Sequence, residues 1–581
     1  MSYPQLTEYQ AAVQNPHLCF FDHPLLKDGK VKSNQLGLPQ ALSGGFALTY
    51  SVECKGQRYA VRCFHREVPD VQHRYEAISK KIQTLSNEYF LRFEYENEGI
   101  TVNRNRYPIV IMDWANGDTL NSYLSNNINN RSKIEALRLR FRELAKYLKN
   151  EGIAHGDVQD LNVICTDTSI KLIDYDGMFV PALNGKKGNE IGHKDYQHPM
   201  RDINNFGPQM DYFSFIVLET ALSALIASPN LYNKFRSGGE ALLFKANDFK
   251  DPYDSEVFKE IGKIPTCQQY IENLTKIVLS DVAEVPTLQD FIANLNIPSP
   301  RATIAANEKP QEVAYITSYD VLDASSYALV EQNVGQKVEL IGKVVSVKSS
   351  TTTRGKKGRR GQPYIFINFG DWSKESVKLT IWSDALQSFL KKPGAELEGK
   401  WISCVGLIDP PYHGKHYGKS YSNVGITIDR ESQIQKITKE EADFRLGRKT
   451  KKVSTVGQLS PNKGIMPSSN RDILNNLTGN SPNYKNNQNA INASSPRPVS
   501  TNKVSTNAQI LANLKKDSAA AIPPTKNSPR SNSVHKNSAN ASKKNYQHQQ
   551  SNGTKNKTNG PNWLFWAIGL AIAIFIFRSL N

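Results

Sequence analysis

The chain has 581 residues, a formal net charge of +17 and six cysteines. Its length excludes a single hydrophobic core and favours two or three globular units joined by unstructured segments. No two cysteines are spaced as CxxC, which argues against a disulfide framework or a structural zinc site and favours a reducing compartment. The polar first residues, MSYPQLTEYQ, predict no cleavable signal peptide.

Composition divides the chain into segments. Ordinary globular composition extends to about residue 296, where the Pro-containing polar stretch IPSPRATIAANEKPQ follows. A strand-rich unit comes next, and after it the chain is mostly Asn, Ser, Lys, Thr and Pro. The predicted organisation is multidomain, with boundaries at 1–296, 297–314 (a linker), 315–437, 438–560 and 561–581.

A short run in the first unit, AHGDVQDLNVICTDTSIKLIDYDGM (154–178), carries three polar side chains that can bind a metal. Asp157 and Asn162 are five residues apart, and Asp174 follows twelve residues later. The run begins after a helical pattern and contains two short strand patterns. Oxygen-bearing side chains beside such strands suit a phosphate-transfer site, and a pair of polar β-turns is the alternative.

This spacing resembles the HRDxxxxN and DFG patterns of the protein kinase superfamily. Tyr175 stands in place of the Phe and Asp176 in place of the last Gly. The resemblance covers about residues 15–296 and implies a bilobal α+β protein kinase-like fold that uses ATP and Mg²⁺. It further implies that Asn162 and Asp174 hold metal, while Asp157 accepts the proton of the phosphate acceptor.

The same resemblance assigns upstream nucleotide-binding segments. LSGGFALTY matches the hairpin that covers ATP, and QRYAVRCF matches the strand whose phosphate-binding Lys is here Arg62. Arginine is not equivalent to lysine as a phosphate ligand. The alternative role of Arg62 is therefore an ion pair that stiffens the small lobe of the domain. The expected partner of Arg62 is Glu76, with Glu67 as the alternative. The expected nucleotide-contacting residues are Gly44, Gly45, Arg62, Glu76, Met112, Asp113 and Ala115.

Two departures from regulated kinases agree with each other. Gly156 stands where many of them have the Arg that binds a phosphorylated activation loop, and residues 175–198 contain no Ser or Thr. These features predict a domain that is not switched by Ser/Thr phosphorylation of that loop. Further downstream, Asp211 is expected to be the buried anchor of the next helix.

The expected activity is that of a Ser/Thr-type protein kinase acting on a protein substrate. The order of AVRCF, HGDVQDLN and DYDGM is similar to that of a bacterial kinase-like family. HGD is also found in small-molecule phosphotransferases, so an aminoglycoside-kinase-like enzyme is one alternative. Arg62 replaces the family's phosphate-binding Lys, and the loop over ATP lacks part of the family's glycine pattern. A second alternative is therefore a pseudokinase that acts as a nucleotide-binding scaffold or nucleic-acid adaptor.

The second unit contains five strand patterns: KVELIGKVVSVKS, PYIFINFG, SVKLTIWS, GKWISCVGLI and SNVGITID. A short helical pattern, DALQSFLKK, falls between the third and fourth. This arrangement resembles an OB-fold, a small all-β barrel, with a different small barrel as the alternative.

Two loops of this unit combine positive charge with glycine or tyrosine. Loops of this kind in OB-folds bind single-stranded nucleic acid through phosphate charge and base stacking, and a solvated basic loop on a protein-binding barrel is the alternative. Tyr364, Phe366 and Trp372 could add stacking faces. The expected nucleic-acid residues are Arg354, Lys356, Lys357, Arg359, Arg360, Tyr412, Lys415 and Tyr417.

The remaining segments predict a tether and a membrane anchor. Residues 451–560 carry a net charge of +14 and almost no aromatic residues, so a disordered basic tail is expected over 438–560. The apolar run from Trp563 to Phe577 spans 15 residues, roughly 22 Å of helix, which is short for a bilayer. Flanking Trp and Arg residues favour a C-terminal transmembrane helix at 561–581, with a buried terminal helix as the alternative. The protein is then expected at the cytoplasmic face of the inner or plasma membrane.

Overall fold

The computed structural model describes residues 3–34, 37–85, 88–236, 240–301, 312–352, 361–387, 389 and 391–452. These residues form a mixed α/β structure with several sheets, and they belong to one compact unit, Met1–Asn486. Within the described ranges, no helix is long and apolar enough to cross a membrane. The predicted membrane helix at 561–581 and the predicted tail beyond 452 lie outside the described residues.

An antiparallel sheet with the order β1-β3-β4-β6-β5, and with β2 paired to β3, forms the N-terminal part. Strand alternation in β4 places Val61 and Cys63 in one core and Phe64 in another. Arg62 therefore lies on the same face as Phe64, toward the rest of the first region (residues 3–301). The elements are α1 Leu6–Val13, α2 Pro16–Cys19, β1 Lys30–Val31, β2 Ala41–Ser43, β3 Ala47–Cys54, β4 Gln57–Phe64, α3 Val71–Thr84, β5 Phe93–Val102 and β6 Asn105–Asp113.

The rest of the first region is mainly helical, with one small sheet of order β7-β8-β9. Helix α5 buries Ile134, Leu137, Phe141, Leu144 and Leu148 at three- and four-residue spacing, and Gly152 ends it in a left-handed conformation. The elements are β7 Asp118–Thr119, α4 Leu120–Asn127, α5 Arg131–Glu151, β8 Val163–Cys165, β9 Ile170–Leu172, α6 Tyr212–Ala227, α7 Asn230–Phe235, α8 Ala246–Lys250, α9 Glu256–Gly262, α10 Gln268–Val278 and α11 Leu288–Ile292.

The second region (residues 312–452) is built on a sheet of order β11-β12-β16-β17-β15-β14-β13, with β18 paired to β16. Strands β15 and β17 are parallel. All five predicted strand patterns are confirmed as strands, and α13 lies between the third and fourth of them. Its elements are β10 Glu312–Val313, β11 Asp320–Asp323, α12 Tyr327–Glu331, β12 Lys337–Lys343, β13 Ser346–Thr351, β14 Pro363–Asn368, β15 Glu375–Ile381, α13 Ser383–Leu386, β16 Trp401–His416, β17 Lys419–Ile428, β18 Ile434–Ile437, α14 Lys439–Arg445 and β19 Lys451–Lys452.

The sheet path does not close into a ring of paired strands within the described residues. Strand β13 at one end of the path and β12, the second strand from the other end, follow each other in the chain, separated only by Val344 and Val345. They are thus consecutive segments of one predicted strand, which pairs with β16 in its first half and with β14 in its second.

The predicted start of the disordered tail at residue 438 is wrong for residues 438–452. Helix α14 follows β18 directly, and β19 pairs with β10. Arg445 of α14 is buried and donates to Glu339 of β12 at 2.9 Å. A buried carboxylate requires a paired cation, so α14 completes the second region although its composition is polar.

Candidate functional site

The loop after α5 is fixed by backbone hydrogen bonds before its functional side chains are reached. Ala154 and Phe179 exchange backbone bonds of 3.1 and 2.8 Å, which join this loop to the DYDG segment. The His155 and Gly156 amides donate to the two oxygens of Asp211, at 2.5 and 2.7 Å. The prediction that Asp211 is a buried anchor is therefore confirmed, since its side chain lies just before α6 and is 2% exposed.

Asp157 and Asn162 are brought together as their spacing predicts. Asn162 Nδ2 donates to Asp157 Oδ2 at 2.8 Å, and the His193 amide donates to Asp157 Oδ1 at 2.6 Å. Both carboxylate oxygens are thus held in place. Burial raises the pKa of Asp157, although the His193 amide opposes that change.

Asp174 follows β9 (Ile170–Leu172) by one residue, and the amide of the intervening Ile173 donates to the Asn162 carbonyl at 3.0 Å. The φ of Asp174, +66°, lies in the left-handed region, which is uncommon for a residue other than glycine and is often found at functional sites. Arg62 Nη1 contacts Asp174 Oδ1 at 2.5 Å. Burial acts to raise the pKa of Asp174, but the Arg62 guanidinium outweighs it and holds that pKa below its usual range.

A second ion pair joins Arg62 to the same segment. Arg62 Nη2 contacts Asp176 Oδ2 at 2.6 Å, and Tyr75 of α3 donates its hydroxyl to Asp176 Oδ1. Burial raises the pKa of Asp176 to about 6, and the nearby Asp174 charge acts in the same direction. Arg62 Nε is buried and has no hydrogen-bond partner among the described residues.

The prediction that Glu76 is the partner of Arg62 is wrong. Glu76 is exposed on α3 and accepts a hydrogen bond from Gln72, while its neighbour Tyr75 faces the site. The alternative, Glu67, is also exposed. The carboxylate that pairs with Arg62 in place of the predicted glutamate is that of Asp176. In the sequence, Asp176 stands out only because it replaces the last Gly of DFG.

The glycine turn, formed by Gly44 and Gly45, lies next to the ion pairs of Arg62. A Cβ built on Gly44 would be 3.5 Å from Arg62 Nη2 and 3.7 Å from Asp174 Oδ2. A Cβ on Gly45 would be 3.8 Å from Oε2 of Glu190, a residue that sequence reasoning missed. Burial and the surrounding carboxylates raise the pKa of Glu190 well above its ordinary value.

Three of the expected nucleotide-contacting residues, Met112, Asp113 and Ala115, lie at or just after the end of β6. This strand is beside β4, which carries Arg62. Met112 is 5% exposed and is paired with Ala60 of β4. Asp113 is exposed at the strand end, and Ala115 is half-buried in the segment that follows.

Magnesium takes carboxylate and amide oxygens in proteins, and Asp174 and Asn162 carry oxygens of these two kinds. Asn162 uses its amide nitrogen toward Asp157, so its amide oxygen is the atom that would bind a metal. Among the described residues, no three His, Cys, Asp or Glu side chains are arranged to hold a metal ion. Magnesium commonly takes one or two protein oxygens and completes its shell with phosphates and water, so Asn162 and Asp174 would hold it only together with a nucleotide.

The loop that carries His193 also contacts the second region. Glu240 is 3% exposed, and its Oε1 is 2.6 Å from Lys337 Nζ of β12. Its other oxygen lies 3.4 Å from His193 Nε2 and accepts the Tyr319 hydroxyl. One buried cluster thus links the second region to the residue whose amide bonds to Asp157.

Aromatic side chains on or beside β14, β16 and β17 form two groups, and Lys378 of β15 lies between them, so that the whole set makes a strip. Lys378 Nζ lies 4.3 Å from the centroid of the Phe366 ring and 5.7 Å from that of Tyr412. Tyr412 and Trp372 both pack against Tyr421, with centroid separations of 6.1 and 5.8 Å. The aromatic strip comprises Tyr364, Phe366, Trp372, Trp382, Tyr412, His416, Tyr417 and Tyr421.

The predicted nucleic-acid residues are only partly within the described chain. Tyr412 and Tyr417 are 47% and 77% exposed, and Lys415 is exposed beside them on β16. The basic loop that contains Arg354, Lys356, Lys357, Arg359 and Arg360 lies outside the described residues.

No protein-family model matches this chain, and no curated protein matches it.

Proposed function

We propose that residues 1–296 form a bilobal protein kinase-like domain that transfers phosphate from ATP to a protein hydroxyl. The observation that carries the proposal is that Asn162 is hydrogen-bonded both to Asp157 and to the backbone of Ile173, and that Asp174, the next residue, is near enough for its charge to raise the pKa of Asp157. Arg62 contacts Asp174, and Gly44 lies beside both, where the phosphates of a nucleotide would be bound.

Each residue has one role in this proposal. Asn162 and Asp174 would hold Mg²⁺, which would neutralise charge on the phosphates of ATP, the donor of the phosphoryl group. Asp157 takes the proton of the acceptor hydroxyl as the new oxygen–phosphorus bond forms and the bond to ADP breaks. Its raised pKa suits a proton acceptor, since a more basic carboxylate receives a proton more readily.

Turnover of Mg-ATP by the full chain, with a mixture of protein and small-molecule acceptors, tests this proposal. Asp174→Ala is expected to lower turnover at least about a hundredfold, since the variant loses a metal ligand. The matched control is Asp254→Ala, which removes an exposed carboxylate that pairs with Lys259 and should leave turnover unchanged.

The other outcomes favour the other candidates. Tight nucleotide binding without turnover favours a pseudokinase that acts as a scaffold. Phosphorylation of an aminoglycoside and of no protein favours a small-molecule phosphotransferase. Equal turnover in both variants contradicts the assignment of the site.

We propose a second function for the second region, the binding of single-stranded nucleic acid by an OB-fold-like domain. The strand order, with β12 and β13 as halves of one bent strand and β15 parallel to β17, supports that fold. The aromatic strip supports the ligand, because every base has a face that can stack on an aromatic ring. Attachment to the cytoplasmic membrane face through 561–581 completes the proposal.

A further inference from the structure

Helix α3 supplies no carboxylate partner for Arg62, the cation of the candidate site. The side chain that α3 directs toward Arg62 is Tyr75, which is 4% exposed and hydrogen-bonded to Asp176. The helix is therefore connected to the cation through a tyrosine and an aspartate of the DYDG segment, and not through a direct ion pair.

The two carboxylates that contact Arg62 differ in their access to solvent. The side chains of Arg62 and Asp176 are 6% and 5% exposed, whereas that of Asp174 is 30% exposed. Asp176 is also held at both oxygens, by Arg62 and by Tyr75. Asp174 is the more open of the two and is the carboxylate from which Arg62 can be withdrawn more easily.

We infer that Asp176 is a positioning residue that serves as the permanent counter-ion of Arg62 and connects it to α3 through Tyr75. When Mg-ATP binds, Arg62 keeps Asp176 and gives up Asp174, which then becomes available to the metal. This inference rests on the proposed function, because it assigns Arg62 to the nucleotide phosphates.

The affinity of the full chain for Mg-ATP, measured by titration calorimetry, tests the inference without requiring turnover. Asp176→Asn is expected to weaken binding at least about tenfold, because the guanidinium is no longer held in position. In an Arg62→Met background the same substitution should weaken binding less than twofold, since Asp176 acts only through Arg62. Equal effects in the two backgrounds would overturn the inference.

Tyr75→Phe provides a milder variant, because it removes one hydroxyl and keeps the ring. It should weaken Mg-ATP binding several-fold, whereas the control Tyr59→Phe, which removes the hydroxyl bonded to Gln57 on β4, should not. Unchanged binding in Tyr75→Phe would overturn the connection to α3. If the wild-type chain itself does not bind Mg-ATP, the proposed function fails, and that result is distinct from additive effects in a chain that binds.

Discussion

At the residue scale, Gly156 is the closest point between the two loops of the candidate site. Its φ is +85°, and a Cβ there would lie 2.4 Å from the carbonyl oxygen of Gly177. Gly156→Ala should lower the free energy of unfolding for two reasons: an alanine is strained in the left-handed conformation, and its Cβ forces the loops apart. We expect the second effect to add about 1 to 3 kcal/mol to the first.

Gly152→Ala is the matched control for that prediction. Gly152 also has a positive φ, +62°, but no atom lies within 4 Å of its added Cβ, so only the left-handed cost of about 1 to 2 kcal/mol applies. Urea unfolding of both variants measures the difference. Equal losses would show that the two loops are not in close contact.

Sequence reasoning succeeded where spacing along the chain determines the contact, and failed where the rotation of a helix does. Asp157 and Asn162 lie within one turn, so their five-residue spacing sufficed. The partner of Arg62 depends on which face α3 presents, and adjacent helical residues differ by about 100°. That rotation places Tyr75 in the site and leaves Glu76 exposed.

At the element scale, the half-buried Lys378 of β15 lies beside rings of the aromatic strip. Burial lowers the pKa of Lys378 to about 8, so the side chain loses its charge as the pH rises from 7 to 9. Affinity for oligodeoxyadenylate is therefore expected to fall several-fold over this range, because a neutral amine no longer attracts phosphate.

Lys378→Met should remove that pH dependence, whereas Lys391→Met, at a position that is 79% exposed, should retain it. Fluorescence anisotropy at constant ionic strength measures both. A pH profile that is the same with and without Lys378 would contradict a role for the strip.

Strand alternation predicted the five strands, but not that residues from four of them would join in one surface.

At the scale of the whole compact unit, the buried cluster around Glu240 joins the two regions. Burial acts to raise the pKa of Glu240, but Lys337 and His193 outweigh it and lower the pKa to about 2. A lowered carboxyl pKa contributes stability that is present above the ordinary value of about 4.5 and is lost as the pH falls toward 2.

We expect the difference in unfolding free energy between wild type and Glu240→Gln to decrease by about 2 kcal/mol from pH 6 to pH 3. Urea unfolding at several pH values measures this difference, with Glu272→Gln, an exposed position on α10, as the control. A difference that does not change with pH would contradict the ionised cluster. Composition alone could not predict this junction, since it depends on single charges that are far apart in the chain.

A crystal structure with a non-hydrolysable ATP analogue and Mn²⁺ tests most directly whether Asn162 and Asp174 hold a nucleotide-bound metal beside Asp157. The anomalous signal of manganese locates the ion without reference to the assigned roles. We predict an anomalous peak within bonding distance of oxygens of Asn162 and Asp174, with Arg62 still paired to Asp176. Manganese bound elsewhere, or an Arg62–Asp174 ion pair that remains closed at saturating nucleotide, would contradict the account.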